Sequence, residues 1–365
     1  MSLDSIKKSV VITGCGVVAS NAIGRDAFGK ALAQGKSGLG DLVSFDASDL
    51  GRERAGEILD FEVETWLRTP KNFLDRNSAL AFAACEMAVR ESGLELPDAD
   101  RKGGIGFGSM SGNLETLTLF DSNVRKKGPR FAPPFLFPHT YYNATAGLLS
   151  IEYGLGGPHE QFCSGGVAGM EAIASAACHI AEGRTEVMIA GGAEAFTEPL
   201  FRMAVSRGWV SPTDGGVELC RPFADDCNGT ILGEGAAMFV LESEHHAAAR
   251  GATILGRISG TGMGTFAQQA VLRAMANAGL KTDGIDLVVA AACGHPQHDR
   301  EEAGAVVGVF RGHKKPIVAI KSLIGETLGA SGPLNLAAAL CTPHETILVN
   351  AADLGQGRWV SVVLG

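Results

Sequence analysis

The feature that most constrains the fold is an order of short buried strands and Ala-rich helices that runs to about residue 250 and then starts again. In the first pass, 10–18 (VVITGCGVV) is β-branched and punctuated by glycine, which predicts a buried strand leading to a turn. Residues 25–34 carry Phe28, Ala31 and Leu32 at helical spacing. The run 74–93 (LDRNSALAFAACEMAVRESG) predicts a long helix whose small residues permit close contact with a sheet or a second helix. Strands at 103–108 and 237–242, a helix from Gly169 to Gly183 and a strand ended by Gly191 and Gly192 continue the pattern, and a charged helix at 243–249 closes it. The second pass predicts strands at 253–260, 285–292, 315–320 and 345–350, with helices at 265–279, 300–309 and 329–341 between them. No linker composition separates the halves, 1–250 and 251–365. Two sheets sharing central helices are therefore expected rather than two independent domains.

Composition narrows the function. The chain is 45% hydrophobic and 19% charged, as suits a compact protein. Its formal charge of −9 gives no support for broad nucleic-acid binding, although a local basic patch could dock an acidic carrier protein. The apolar runs end well before the roughly 18 residues that span a bilayer, and the start MSLDSIKKSVVITG is too briefly apolar for a signal peptide, so a cytoplasmic protein is expected. Eight cysteines without CxxC pairs read as reduced small hydrophobes, not as a disulfide framework or a structural zinc site. Gly14, Gly16 and Gly24 miss the GxGxxG spacing of a dinucleotide loop, and no bound cofactor or metal is expected.

The segment 153–170, YGLGGPHEQFCSGGVAGM, carries the most chemistry. A strand-like approach, Cys163, two glycines and an Ala-rich helix place a thiol at or near a helix N-terminus, where free N–H groups and the helix dipole stabilise thiolate and bind an oxyanion. That geometry suits attack on an acyl thioester. A buried cysteine packed before a glycine pair is the plainer reading of the same residues.

Nearly the whole chain resembles the elongating β-ketoacyl-carrier-protein synthases. The resemblance rests on VVITGCGVV, YGLGGPHEQFCSGG, AEGRTEVMIAGGAEAFTEPL, RPFADDCNGTILGEGAAMFVLE and KSLIGETLGASG taken together. It implies an α/β chain with the duplicated, thiolase-like five-layer αβαβα fold, normally dimeric. It also implies a cysteine, here Cys163, that accepts an acyl group from the phosphopantetheine of acyl carrier protein. Active members of the family use two histidines to bind the extender thioester carbonyl. In Lys321-Ser-Leu-Ile-Gly325-Glu326-Thr-Leu-Gly329-Ala330-Ser-Gly332 the family lysine is kept and Glu326 stands in the histidine place. Anchoring on Asp299 puts Ala291 at the other histidine position, with His295 and His298 nearby as alternatives from a rearranged loop. The turn Asp225-Asp226-Cys227-Asn228-Gly229 lacks the usual Arg-Asp pair. Leu354, followed by Gly355, replaces the phenylalanine that commonly gates the pocket, and a segment that borders it is shortened after Gly264.

These departures lead to a noncondensing partner resembling a chain-length factor, pairing with an active synthase in fatty acid, polyketide or polyene synthesis and shaping its acyl pocket. Two other classes stay open: a condensing enzyme that uses His295 or His298, and a Cys163-dependent acyltransferase or thioester hydrolase in which Glu326 serves as base. Glu326 facing Cys163 would oppose thiolate formation, and Lys321 is expected to orient Glu326. A homodimer and a heterodimer are equally compatible with the sequence. His245 and His246 read as surface or capping residues, and His295, His298 and Asp299 would make a metal cluster only through a tight loop. Phe131, Phe135, Phe137, Tyr141 and Tyr142 lie in a Pro-rich loop and read as interface or core, with Asn143 fixing that loop. Glu194 and Glu198 would come together only if a helical turn joins them, and both they and Glu234 read as bridging groups rather than catalytic ones.

Overall fold

The computed structural model describes residues 8–97, 101–212, 216–311 and 314–365, so the first seven residues of the start considered above lie outside it. Five strands, β1 (Val10–Ala19), β2 (Gly104–Gly108), β3 (His159–Phe162), β4 (Val187–Glu194) and β5 (Gly235–Ser243), form one half of the sheet structure. They lie in the order β3-β2-β4-β5-β1. The second five, β6 (Gly256–Gly264), β7 (Leu287–Val289), β8 (Ile317–Val318), β9 (Ile347–Ala352) and β10 (Trp359–Leu364), lie in the order β8-β7-β9-β10-β6. The strand directions repeat as well. In each half the first three strands of that order run parallel, and the next two pairings are antiparallel. The halves join through a short antiparallel contact of Val10–Ile12 with Gly256–Ile258, and Ala22–Ile23 folds back on the end of β1.

Helices fill three layers. On the outer face of the first half lie α1 (Arg76–Ser92) and α3 (Ala144–Tyr153), and α2 (Leu114–Lys127) joins β2 to the loop before α3. Between the halves lie α4 (Ala168–Ala181) and α7 (Ser331–Leu340), packed on each other and on both sheets. The outer face of the second half carries α5 (Ala267–Asn277) and α6 (Pro296–Phe310). Strands covered on both faces read as continuous apolar runs, which is why β1 and β5 are buried along their whole length.

The glycines of VVITGCG serve packing. A Cβ on Gly16 would sit 1.8 Å from the carbonyl oxygen of Ala84, and one on Gly262 would sit 2.2 Å from that of Ala270. In each half an outer helix thus presses its backbone onto a strand, and an Ala-rich contact face permits the approach.

Some expected boundaries move. The strand expected over 285–292 pairs only at Leu287–Val289, because the next residues are drawn out of the sheet by carboxylates: Ala291 N–H donates to Glu302 at 2.9 Å and Cys293 N–H to Asp299 at 2.9 Å. Strand β10 lies beyond the last strand read from the sequence. The loop before α3 contains short 3₁₀ turns at Pro129–Phe131 and Phe137–His139, and its five large aromatics are exposed, so they are not core. Asn143 flanks α3 without a side-chain cap, and its carbonyl accepts Gly147 N–H at 2.9 Å. Among the described residues no helix is long and apolar enough to cross a membrane.

Replacing Gly16 by alanine should lower stability by about 1–3 kcal/mol, the usual range for overpacking, in urea unfolding monitored by circular dichroism. An unchanged midpoint would show that α1 moves away freely.

Candidate active site

Cys163 and Glu326 occupy corresponding places in the two halves. Each lies five residues ahead of a buried central helix, α4 or α7, and is separated from it by a 3₁₀ turn, Gly165–Val167 or Leu328–Ala330. The helix starts are nearly in backbone contact: a Cβ on Gly169 would lie 2.4 Å from Gly329 O, and one on Gly332 would lie 2.8 Å from Met170 Cβ. Larger residues at these positions would force the two sites apart.

The surroundings of Cys163 correct the expected thiolate. The residue is exposed, and the turn after it is held by Asp353, whose Oδ1 accepts Gly166 N–H at 2.8 Å and whose Oδ2 accepts Gly355 N–H at 3.1 Å. One of the amides expected to serve an anion is thereby occupied. Gly165 has φ +77°, and a Cβ there would strike Asp353 Oδ1 at 2.0 Å, so this turn needs its glycine. Partial burial pushes the thiol pKa up, a hydrogen bond from Gln161 lowers it, and the Glu194 carboxyl raises it further; the outcome lies above the ordinary cysteine value.

Glu194 ends β4 and is fully buried. Its Oε2 accepts Met110 N–H at 2.7 Å and Gly329 N–H at 3.1 Å, while Oε1 accepts Ser111 N–H at 2.9 Å, so it ties the turn after β2 to the turn before α7. Burial raises its pKa. Glu198 is not brought to it, being exposed on the next helix and paired with Arg202. Glu234 bridges Arg76 at 2.7 Å and the N–H of Ile58 at 2.9 Å.

Glu326 is anchored by Lys321. The ammonium group lies 2.6 Å from Glu326 Oε2 and also donates to Ala291 O at 2.7 Å; Glu326 Oε1 accepts Leu328 N–H at 2.7 Å and the Ser331 hydroxyl. Burial, the largest single influence, disfavours a charged Lys321, but Glu326 together with Cys293 and Glu302 outweighs it, and the lysine pKa is raised. Behind this pair the Cys220 thiol is pushed up to about 11, by burial first and then, after weaker hydrogen-bond effects that lower it, by the charge of Glu326. Both Glu326 oxygens accept hydrogen bonds, Oε1 two and Oε2 one, so the ionised carboxylate has no donor to offer an enolate.

His295 precedes α6 and His298 lies in its first turn. Their rings meet edge-on at 5.5 Å, His298 stacks on Trp359 at 5.9 Å, and Nδ1 of each ring is buried without a hydrogen-bond partner. Burial lowers both pKa values, so both rings are neutral near pH 7. Asp299 is spent on the backbone, accepting from Cys293 at 2.9 Å, Gly294 at 3.0 Å and Phe223 at 2.9 Å. Leu354 packs against the apolar cluster that contains Phe196, Phe201, Trp209 and Leu328, and a Cβ on Gly355 would lie 3.2 Å from the Trp209 ring. His246 pairs through Nδ1 with buried Glu242, and among the described residues no group of three or more His, Cys, Asp and Glu could hold a metal ion. Sequence reasoning missed Gln161 and gave Asp353 no role of its own; each becomes visible only when the strand end and the turn are seen around the sulfur.

A duplicated sheet structure with a cysteine and its structural counterpart at the starts of two central helices defines the ketosynthase branch of the thiolase fold. Family models agree: the β-ketoacyl synthase N-terminal domain matches residues 7–247 and the C-terminal domain residues 256–354, so the chain belongs to the β-ketoacyl synthase family. It is 32% identical to nodulation protein E of Rhizobium sp. (strain N33), over 95% of this chain and 89% of that protein. It is 30% identical to 3-oxoacyl-[acyl-carrier-protein] synthase 2 of Vibrio harveyi, over 98% of this chain and 92% of the relative. The solved ishigamide ketosynthase/chain length factor superposes with a TM-score of 0.89 at 25% identity, covering 98% of this chain and 99% of that one.

Lys321→Met should cost about 3–5 kcal/mol in urea unfolding, because it strands a buried carboxylate, and adding Glu326→Leu should recover much of that loss. Equal stability of the single and double variants would contradict the pairing. Iodoacetamide labelling of Cys163, followed by peptide mass, should rise with pH to a midpoint above the ordinary thiol range; a midpoint near neutrality would overturn the raised pKa.

Proposed function

We propose that this protein is a noncondensing ketosynthase-like subunit that pairs with an active β-ketoacyl synthase in carrier-protein-dependent fatty acid or polyketide synthesis and shapes the acyl pocket. The observation that carries this reading is the state of the two histidine positions. Ala291 has no side-chain donor, and Glu326 is an acceptor with both oxygens already bonded. Decarboxylation of an extender places negative charge on a thioester oxygen, and loss of one positioned donor costs roughly 3 kcal/mol, about 100-fold in rate. With alanine at one of these positions and an acceptor at the other, that step lacks the two donors that the resemblance assigns to active members, and the His298 ring is stacked on Trp359.

Pairing draws support from the surface. Strand β3 ends the sheet order, α3 packs on β2 and β3, and the loop leading into α3 exposes Phe131, Phe135, Phe137, Tyr141 and Tyr142. An open sheet edge and an apolar face suit a partner of the same fold, whether a synthase or a second copy. Exposed Arg125, Lys126, Lys127 and Arg130 at the end of α2 suit an acidic carrier protein, which would deliver acyl groups on its phosphopantetheine. The structural likeness to a ketosynthase/chain length factor supports the same assignment. A second reading, acyl transfer or thioester hydrolysis at Cys163, is favoured by the exposure of that thiol, which a purely architectural subunit does not require.

The protein should be incubated with malonyl and acyl carrier-protein thioesters, alone and with a copurified synthase, and followed by carbon dioxide release and intact mass. Product formed only with the partner is the expected result. Carbon dioxide released by the isolated chain would refute the noncondensing reading, and acylation of Cys163 by the isolated chain would move the assignment to acyl transfer.

A further inference from the structure

The strand that delivers Cys163 also delivers a side-chain amide to its sulfur. Gln161 lies two residues earlier on β3, and its Nε2 donates to Phe162 O at 3.1 Å while lying 3.9 Å from Cys163 Sγ, within hydrogen-bond reach of sulfur. An amide nitrogen has two hydrogens, so the bond to Phe162 O leaves the second one for the sulfur. The orientation is set by chemistry: a flipped amide would put Oε1 against the Phe162 carbonyl, acceptor against acceptor. Gln161 Oε1 is buried without a hydrogen-bond partner, so nothing on that side pulls the amide away from the sulfur.

We propose that Gln161 is a positioning residue for Cys163, donating through Nε2 to the sulfur and making the thiol more reactive than its surroundings would otherwise allow. The two influences that oppose it are partial burial and the carboxyl of Glu194, and Gln161 is the hydrogen-bonding side chain acting in the other direction. A donor stabilises the sulfur more as thiolate than as thiol, because the charge-assisted hydrogen bond is the stronger one. The assignment concerns the thiol alone and stands apart from the noncondensing reading, which concerns the enolate.

The test compares Gln161→Leu and Gln161→Glu with the parent chain by iodoacetamide labelling of the full-length protein over a range of pH, read at each cysteine by peptide mass. In that reaction the thiolate forms a carbon–sulfur bond and iodide leaves. Exposed Cys178, on α4, serves as a reference in the same digest and should label equally in all three proteins. Gln161→Leu should move the Cys163 midpoint upward by about half to one pH unit, slowing labelling near pH 7.5 by about 3–10-fold. Gln161→Glu keeps the shape and replaces the donor by an acceptor, so it should shift the midpoint at least as far and serves as the test if the leucine variant does not fold. A Cys163 midpoint that stays in place or falls in the glutamate variant, with Cys178 unchanged, overturns the proposal.

Discussion

Everything at the site depends on how closely the starts of α4 and α7 approach each other. Gly169 and Gly332 remove the side chains that would hold them apart, and Gly192 completes the close contact, since a Cβ there would lie 2.7 Å from Gly329 O. The duplication then has a chemical consequence. Two copies of a strand, a turn and a buried helix bring Cys163 of one half and the Lys321–Glu326 pair of the other to the same central layer. Glu194 ties the turn after β2 to the turn before α7, accepting from Met110 N–H and from Gly329 N–H.

Charge at the centre is organised for burial. Glu326 is buried, and its carboxylate is satisfied by an ammonium, a hydroxyl and a backbone N–H. A buried ion pair is poor evidence for added stability, but removing either partner leaves the other uncompensated, so the two positions are coupled. Asp299, Glu302 and Asp353 follow a similar logic at the edges, each accepting from backbone N–H groups of an irregular segment that has left the sheet or approaches a helix. The irregular backbone around the site is thus held by carboxylates as well as by strand pairing.

Cys163 stands somewhat apart from that network. Its thiol is exposed, its pKa is raised, and its polar neighbour on β3 is an amide rather than an imidazole. A protein that had kept only architecture would have no need for a reachable sulfur with an oriented donor beside it.

Much of the fold was legible in the sequence. Gly-punctuated apolar runs and Ala-rich helices announced the strand and helix order and its restart near residue 250, because segments buried on both faces must be apolar along their length. The pairing of Glu326 with Lys321 was also legible once the resemblance aligned the motifs. The sequence was silent on β10, on the shortening of the strand at Leu287–Val289, on the separation of Glu194 from Glu198 and on the partners of His295 and His298. Only the tertiary structure decided these, and with them the state of the sulfur. Hydrogen-bond partners such as Asp353, which is distant in sequence, are chosen by how two sheets and two helices pack, and the pKa of a thiol answers to that local field rather than to the residues beside it in the chain.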